Sequence, residues 1–249
     1  MKKRLSLSGV AVLMAVCAGL LSTYLWVTQV DNTVTADDRR AIEQALGPAL
    51  ERRFPEAISV DALRFTEEIA FIRTVQRGVL EVVPVDAGIP HGMSREPADL
   101  LERGKGLCFD RSRFMEKALR RYGFETRHVA IYSTAKTGSA LKSLLTPQVR
   151  SHAVTEVMTS RGWVVVDSNE PWVSLGKHDQ PLSIADIAAL DRAEMGKALL
   201  TPPRSSIYAE GFTFVYGLYS RHGKFYPPYD VVPDVQLAEL LHNTQRLFR

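Results

Sequence analysis

The chain has 249 residues, of which 45% are hydrophobic and 24% charged, with a formal net charge of +3. That excess is the N-terminal trio Lys2, Lys3 and Arg4; without them, 28 of the 31 basic residues face 28 acidic ones. A balanced remainder of about 215 residues can bury one full core. It offers no general electrostatic reason to bind nucleic acid or an anionic membrane surface.

After the basic trio no charge occurs until Asp31, and residues 10–27 read VAVLMAVCAGLLSTYLWV. This run is longer than the roughly 7–15 apolar residues of a cleavable signal. It reaches the roughly 17–25 of a spanning helix. Tyr24 and Trp26 stand at its far end, where aromatic rings favour the membrane interface. The sequence therefore predicts one N-terminal transmembrane helix, a signal anchor over residues 1–30. Its basic end would be cytoplasmic and the rest outside the cytoplasm, on the periplasmic side in a Gram-negative cell. The small residues VTA (34–36) leave cleavage and release as the alternative, and Cys17 behind Val16 fits a lipidation site poorly.

Residues 31–94 read as a helical region. ADDRRAIEQALGPALERRF (36–54) has helical apolar spacing and an acidic first turn, with Pro55 to stop it. Residues 61–77 suggest a second helix with Leu63, Ala70, Phe71 and Val75 inward. GVLEVVPV (78–85) fits either a strand or the tail of that helix. A Gly/Pro-punctuated loop (85–97) leads to a short helix, PADLLERG. Residues 95–175 read as an α+β core and 176–249 as a C-terminal extension packing on it.

The core opens on GKGLCFDRSRFMEKALRRYGF (104–124). Cys108, Ser112, Met115, Leu119 and Tyr122 form one stripe of a helix. Asp110, Arg113, Lys117, Arg120 and Arg121 fall largely elsewhere, and Gly123 ends the helix. A thiol in the first turn of a helix sits near unsatisfied N–H groups and the positive end of the dipole, which favour thiolate. Those N–H groups can also serve an oxyanion. Cys108 reads equally as a small buried hydrophobe, and for an exported chain as an intermolecular bridge.

Of six histidines, His152 opens a strand (HAVTEVM) and WVVVD (163–167) returns after a turn at SRG. A two-residue turn at 160–161 pairs position 154 with 167. His152 and Asp167 are then diagonal neighbours on one face, about 7–8 Å apart in backbone and within side-chain reach. A carboxylate so placed can fix the imidazole tautomer and stabilise its protonated form. Taken singly, each residue has a plainer reading, a strand-end histidine and a turn aspartate.

Together, GKGLCFD, RYGFETRHVAIY, SHAVTEV and GWVVVDSNEP resemble the core of the transglutaminase-like superfamily. The resemblance covers about residues 95–175. It implies a papain-related α+β fold in which a helix bearing the cysteine packs on an antiparallel sheet. It also implies a catalytic triad of Cys108 as nucleophile, His152 as general base then acid, and Asp167 as orienting carboxylate. The chemistry implied is attack on an amide or thioester carbonyl through an acyl-enzyme. Two departures stand out. Relatives commonly carry Trp where this chain has Val154, and 86–107 hold no Gln, Asn or Trp for an oxyanion. Ser94 and His91 are the polar residues left for that part.

The stretch 133–149 reads as a lid or as a solvated insertion. Eight aromatics follow in 207–233: Tyr208, Phe212, Phe214, Tyr216, Tyr219, Phe225, Tyr226 and Tyr229. They could pack on the core or line a groove, with FTFVY as a strand. Residues 234–248 read as a closing amphipathic helix, and His222 is the rival base. No metal-ligand spacing, phosphate loop or EF-hand occurs, so no cofactor is expected; some relatives use calcium, and the sequence does not decide that. The expectation is a membrane-anchored cysteine hydrolase or acyltransferase with a protein or peptide substrate. The alternative is an inert transglutaminase-like module that binds or scaffolds in an envelope assembly.

Overall fold

The computed structural model describes residues 7–55, 60–89, 93–146, 148–219 and 234–244. Helix α1 spans Leu7–Thr28 and α2 spans Ala36–Arg53. The start of α2 is set by a reciprocal cap: Thr35 Oγ1 accepts from the Asp38 N–H (3.1 Å), and Asp38 Oδ2 accepts from the Thr35 N–H (2.8 Å). Helix α3 runs Phe65–Val82, so the ambiguous segment after residue 77 is its tail. Val75, Val79 and Val83 decide this, because they recur every four residues and are all fully buried. A short helix α4 (Pro97–Arg103) ends at Gly104, whose φ of +64° is left-handed. Helix α5 follows at Cys108–Arg121.

The main sheet is antiparallel, in the order β3-β2-β1-β4: β1 Thr126–Ser133, β2 Ser151–Thr159, β3 Gly162–Asp167 and β4 Phe212–Tyr216. Thr159 pairs with Gly162 across the two-residue turn, and Val154 pairs with Asp167, the register expected from the sequence. One face of the sheet carries Val157, Val164 and Val166 against Phe71, Val75, Phe114 and Leu119 of α3 and α5. The other carries Val129, Val154 and Val165 against residues of the C-terminal extension. Cover on both faces explains why Val164, Val165 and Val166 form an unbroken apolar run instead of alternating.

Short helices follow along the chain: α6 (Ala140–Leu145) between β1 and β2, then α7 (Ile184–Ala189), α8 (Arg192–Ala198) and α9 (Ser206–Ala209). A small pair of strands, β5 (Leu218–Tyr219) and β6 (Asp234–Val235), precedes α10 (Leu237–Leu241).

Two expectations are corrected. Among the described residues no helix is long and apolar enough to cross a membrane. The N-terminal transmembrane helix, and with it the membrane-anchored placement outside the cytoplasm, is not supported. Leu7–Thr28 is helical, but Ser22, Thr23 and Tyr24 break its apolar run. The uninterrupted part, residues 10–21, spans about 18 Å at 1.5 Å per residue, short of the roughly 30 Å hydrocarbon core. Second, residues 234–248 are not one helix: 234–235 form β6, and the Gln236 side chain caps α10 by accepting from the Glu239 N–H (3.1 Å). The charged residues Asp110, Arg113 and Lys117 of α5 are buried, and Asp38 of α2 and Glu96 at the start of α4 serve as counterions to the two cations.

Candidate active site

Cys108 is the first residue of α5. The helix begins there because Asp110 Oδ2 turns back to accept from the Leu107 N–H (2.9 Å). Gly106 makes that entry possible. It exchanges backbone bonds with the 84–86 segment, and a Cβ there would stand 3.0 Å from Asp110 Cβ and 3.2 Å from Val83 Cγ1. The half-buried thiol sits in an apolar cluster with Phe109, Ala130, Tyr132 and Ala153, joined by Leu144 of α6 and Val149.

His152 lies near the start of β2, on the sheet face of Val154 and Asp167, and hydrogen-bonds the Cys108 thiol. Its Nε2 is 2.9 Å from Asp167 Oδ2, and both side chains are buried. The structure thus brings Cys108, His152 and Asp167 together. Asp167 has all its acceptor capacity engaged. Oδ2 also accepts from the Tyr208 hydroxyl (2.6 Å), while Oδ1 accepts from the N–H groups of Asn169 (2.6 Å) and Glu170 (3.1 Å). Gln76 of α3 holds the same turn from beneath. Its Nε2 donates to the carbonyls of Asp167 (2.8 Å), Glu170 (3.0 Å) and Trp172 (2.8 Å).

The electrostatics follow from these contacts. Burial pushes the Cys108 thiol up, but the His152 hydrogen bond and charge, the Ala153 N–H and the Arg111 guanidinium together hold it below its ordinary value. Burial pulls His152 down, yet the Asp167 charge and hydrogen bond, with Cys108, push it up to about 10. Burial raises Asp167, and this is outweighed by His152, Tyr208 and the Asn169 N–H, so it stays ionised below the usual carboxylate range. The arrangement favours a thiolate–imidazolium pair over a neutral thiol and imidazole.

Other sequence candidates fare differently. His222 and His91 lie outside the described residues, as do Phe225, Tyr226 and Tyr229. Ser94 donates to Asp99 Oδ2 (2.6 Å) at the start of α4, so its hydroxyl is engaged there. Tyr208, Phe214, Tyr216 and Tyr219 are buried in the packing, but Tyr208 also serves Asp167. Sequence reasoning missed Tyr208, Gln76 and Asn169 as neighbours of the triad. The one local signal was Asn169, two residues past Asp167 in a turn-forming SNEP; nothing local marks Tyr208, 41 residues on.

Residues 62–168 match the family model described as Transglutaminase-like superfamily. Over this segment the chain is similar to the transglutaminase-like superfamily. No curated protein matches the chain. Among solved structures, a "Putative Cysteine Protease" from Cytophaga hutchinsonii matches with 11% identity and a TM-score of 0.35, over 75% of this chain and 54% of its own. The arylamine N-acetyltransferase of Salmonella typhimurium matches with 19% identity and a TM-score of 0.33, over 61% and 50%. The chain thus spans about half the length of either structure. The matched segment holds Cys108, His152 and Asp167 within its bounds, with Asp167 next to its end.

Proposed function

We propose that the chain is a cysteine hydrolase or acyltransferase acting on a protein or peptide amide through an acyl-enzyme on Cys108. The observation that carries this reading is the buried contact of His152 Nε2 with Asp167 Oδ2 at 2.9 Å, with the Cys108 thiol hydrogen-bonded to the same imidazole. The thiolate attacks the amide carbonyl and forms a C–S bond. The first-turn N–H groups of α5, which have no intrahelical acceptors, receive the developing oxyanion. His152, as imidazolium, gives its proton to the leaving amine nitrogen as the C–N bond breaks. The neutral imidazole then takes a proton from water, whose oxygen attacks the thioester and releases the acid. Asp167 holds the ring and stabilises its charged form throughout. Water as acceptor needs no second binding site, which favours hydrolysis over cross-linking.

The test is the rate of Cys108 alkylation by iodoacetamide against pH, in wild type and in His152→Ala. A plateau reached below about pH 7 in wild type, shifted upward in the variant, supports the reading. A rise near about pH 8.5, identical in both, would overturn it in favour of a binding module. Turnover of peptide amides by wild type and its loss in Cys108→Ala complete the test.

A further inference from the structure

One buried charge beside this site has no part in the steps above. Arg111 stands one turn after Cys108 on α5 and is 2% exposed. Its Nη2 donates to the side-chain oxygen of Asn169. Among the described residues it makes no ion pair, and its Nε has no partner. Burying a guanidinium without a carboxylate is costly. The neighbouring cations of the helix avoid that cost, since Arg113 meets Glu96 and Lys117 meets both Asp38 and Glu96. Burial works against the charge on Arg111, and the groups that favour it are Cys108 first, then Asp167 and Asp110.

Asn169 ties this cation to the rest of the site. The residue is exposed on the turn after β3. Its side-chain oxygen accepts from Arg111, its Nδ2 lies 3.4 Å from His152 Nδ1, and its N–H donates to Asp167 Oδ1 at 2.6 Å. We infer that Arg111 is a positioning residue for Cys108: its unpaired charge favours the thiolate, and its hold on Asn169 steadies the turn whose N–H groups fix Asp167. The inference rests on the reading of Cys108 as nucleophile. The other titratable groups that face this corner are His152 of β2, Asp167 of β3, Asp110 of α5, Tyr132 of β1, Tyr208 of α9 and Glu170 of the turn. Among these Arg111 alone is a cation that no neighbour can neutralise by taking its proton.

The experiment follows Cys108 alkylation against pH in the full chain carrying Cys17→Ser, which leaves one thiol to read. Arg111→Met should move the midpoint up by about one pH unit. Arg111→Lys, which keeps the charge, should stay much closer to wild type. Should Arg111→Met lack a cooperative melting transition, Asn169→Asp at the exposed position supplies a carboxylate to the guanidinium and should give the same upward shift. An unchanged midpoint in Arg111→Met or Asn169→Asp, beside a low wild-type midpoint, overturns the role of Arg111 and leaves the nucleophile in place. So does Arg111→Lys shifting as far as Arg111→Met, since shape and not charge would then be what matters. A wild-type midpoint near about 8.5 that His152→Ala does not move overturns the nucleophile reading, and this inference with it.

Discussion

Lys117→Met tests how the Cys108 helix is seated. Lys117 Nζ lies 2.7 Å from Asp38 Oδ2 and 2.6 Å from Glu96 Oε2, and the side chains of Lys117 and Asp38 are 3% and 1% exposed. Glu96 is 37% exposed and keeps Arg113 at 3.0 Å, so the loss falls on Asp38. Removing one partner of a buried pair costs about 3–5 kcal/mol. Asp38 retains the Thr35 N–H at 2.8 Å, which argues for the lower end, about 3 kcal/mol. At about 2–4 °C per kcal/mol for a chain of this size, the melting temperature should fall by about 6–12 °C. Asp38→Asn in the same chain removes the stranded charge, and the double variant should recover about 2 kcal/mol.

The pH dependence sharpens the test. In wild type, burial raises Asp38 but Lys117 and Thr35 outweigh it, so the carboxyl is held below its ordinary value. A lowered carboxyl contributes stability above its unfolded pKa of about 3.9 and loses it as pH falls through the folded value. Without Lys117, burial pushes Asp38 up, and the variant gains stability as pH falls through that raised value. The gap between the two proteins should therefore be widest near neutrality and narrow toward pH 4. Urea unfolding followed by tryptophan fluorescence reads it, with an unchanged m-value as the control. A cost below about 1 kcal/mol, or a gap that does not change with pH, would refute the reasoning.

Catalytic acylation, followed with an activated ester, should be bell-shaped in pH. It rises through the lowered Cys108 value as the thiolate forms and falls through about 10 as His152 loses its proton; a fall centred near 7 would contradict the pair. Tyr208→Phe removes a donor to a buried carboxylate and should cost about 1.5–3 kcal/mol in urea unfolding. Gln76→Leu removes the side-chain donor from the Asp167 carbonyl, while the carbonyls of Glu170 and Trp172 keep the N–H groups of Trp172 and Asp167. It should cost about 2–3 kcal/mol and slow acylation in the folded enzyme, which single-turnover kinetics can separate.

Much of the site was legible in the sequence because it rests on local periodicity. Cys108 heads a helix that its apolar stripe and terminal glycine define, and a two-residue turn alone brings Val154 opposite Asp167. The neighbouring residues were illegible because their partners are distant in the chain. Gln76 meets Asp167 across 91 positions and Tyr208 across 41, and a buried Gln or Tyr reads as core until its partner is known. The burial of Lys117 and Arg113 was illegible for the same reason, since their counterions lie on α2 and at the start of α4. The N-terminal segment went wrong by length, since counting past Ser22, Thr23 and Tyr24 turned a shorter apolar run into a span.

The matched segment ends at residue 168, one position beyond Asp167. The carboxylate accepts bonds from Asn169, Glu170 and Tyr208, all past that end, and Asn169 also reaches Arg111 and His152. The turn that carries Asn169 is fixed in turn by Trp172, whose Nε1 donates to the Thr201 carbonyl at 2.7 Å, and by Glu170, which accepts from the Arg204 N–H. The C-terminal extension is therefore part of the site's electrostatics as well as a cover for the sheet. A carboxylate with four donors is strongly acidic and has one geometry; stripped of Tyr208 and the turn, Asp167 would be a buried acid whose burial pushes it toward the neutral form. A neutral Asp167 would no longer stabilise the imidazolium, and without the imidazolium the thiol returns toward its ordinary value. The charge state of Cys108 thus depends on residues as far along the chain as Tyr208.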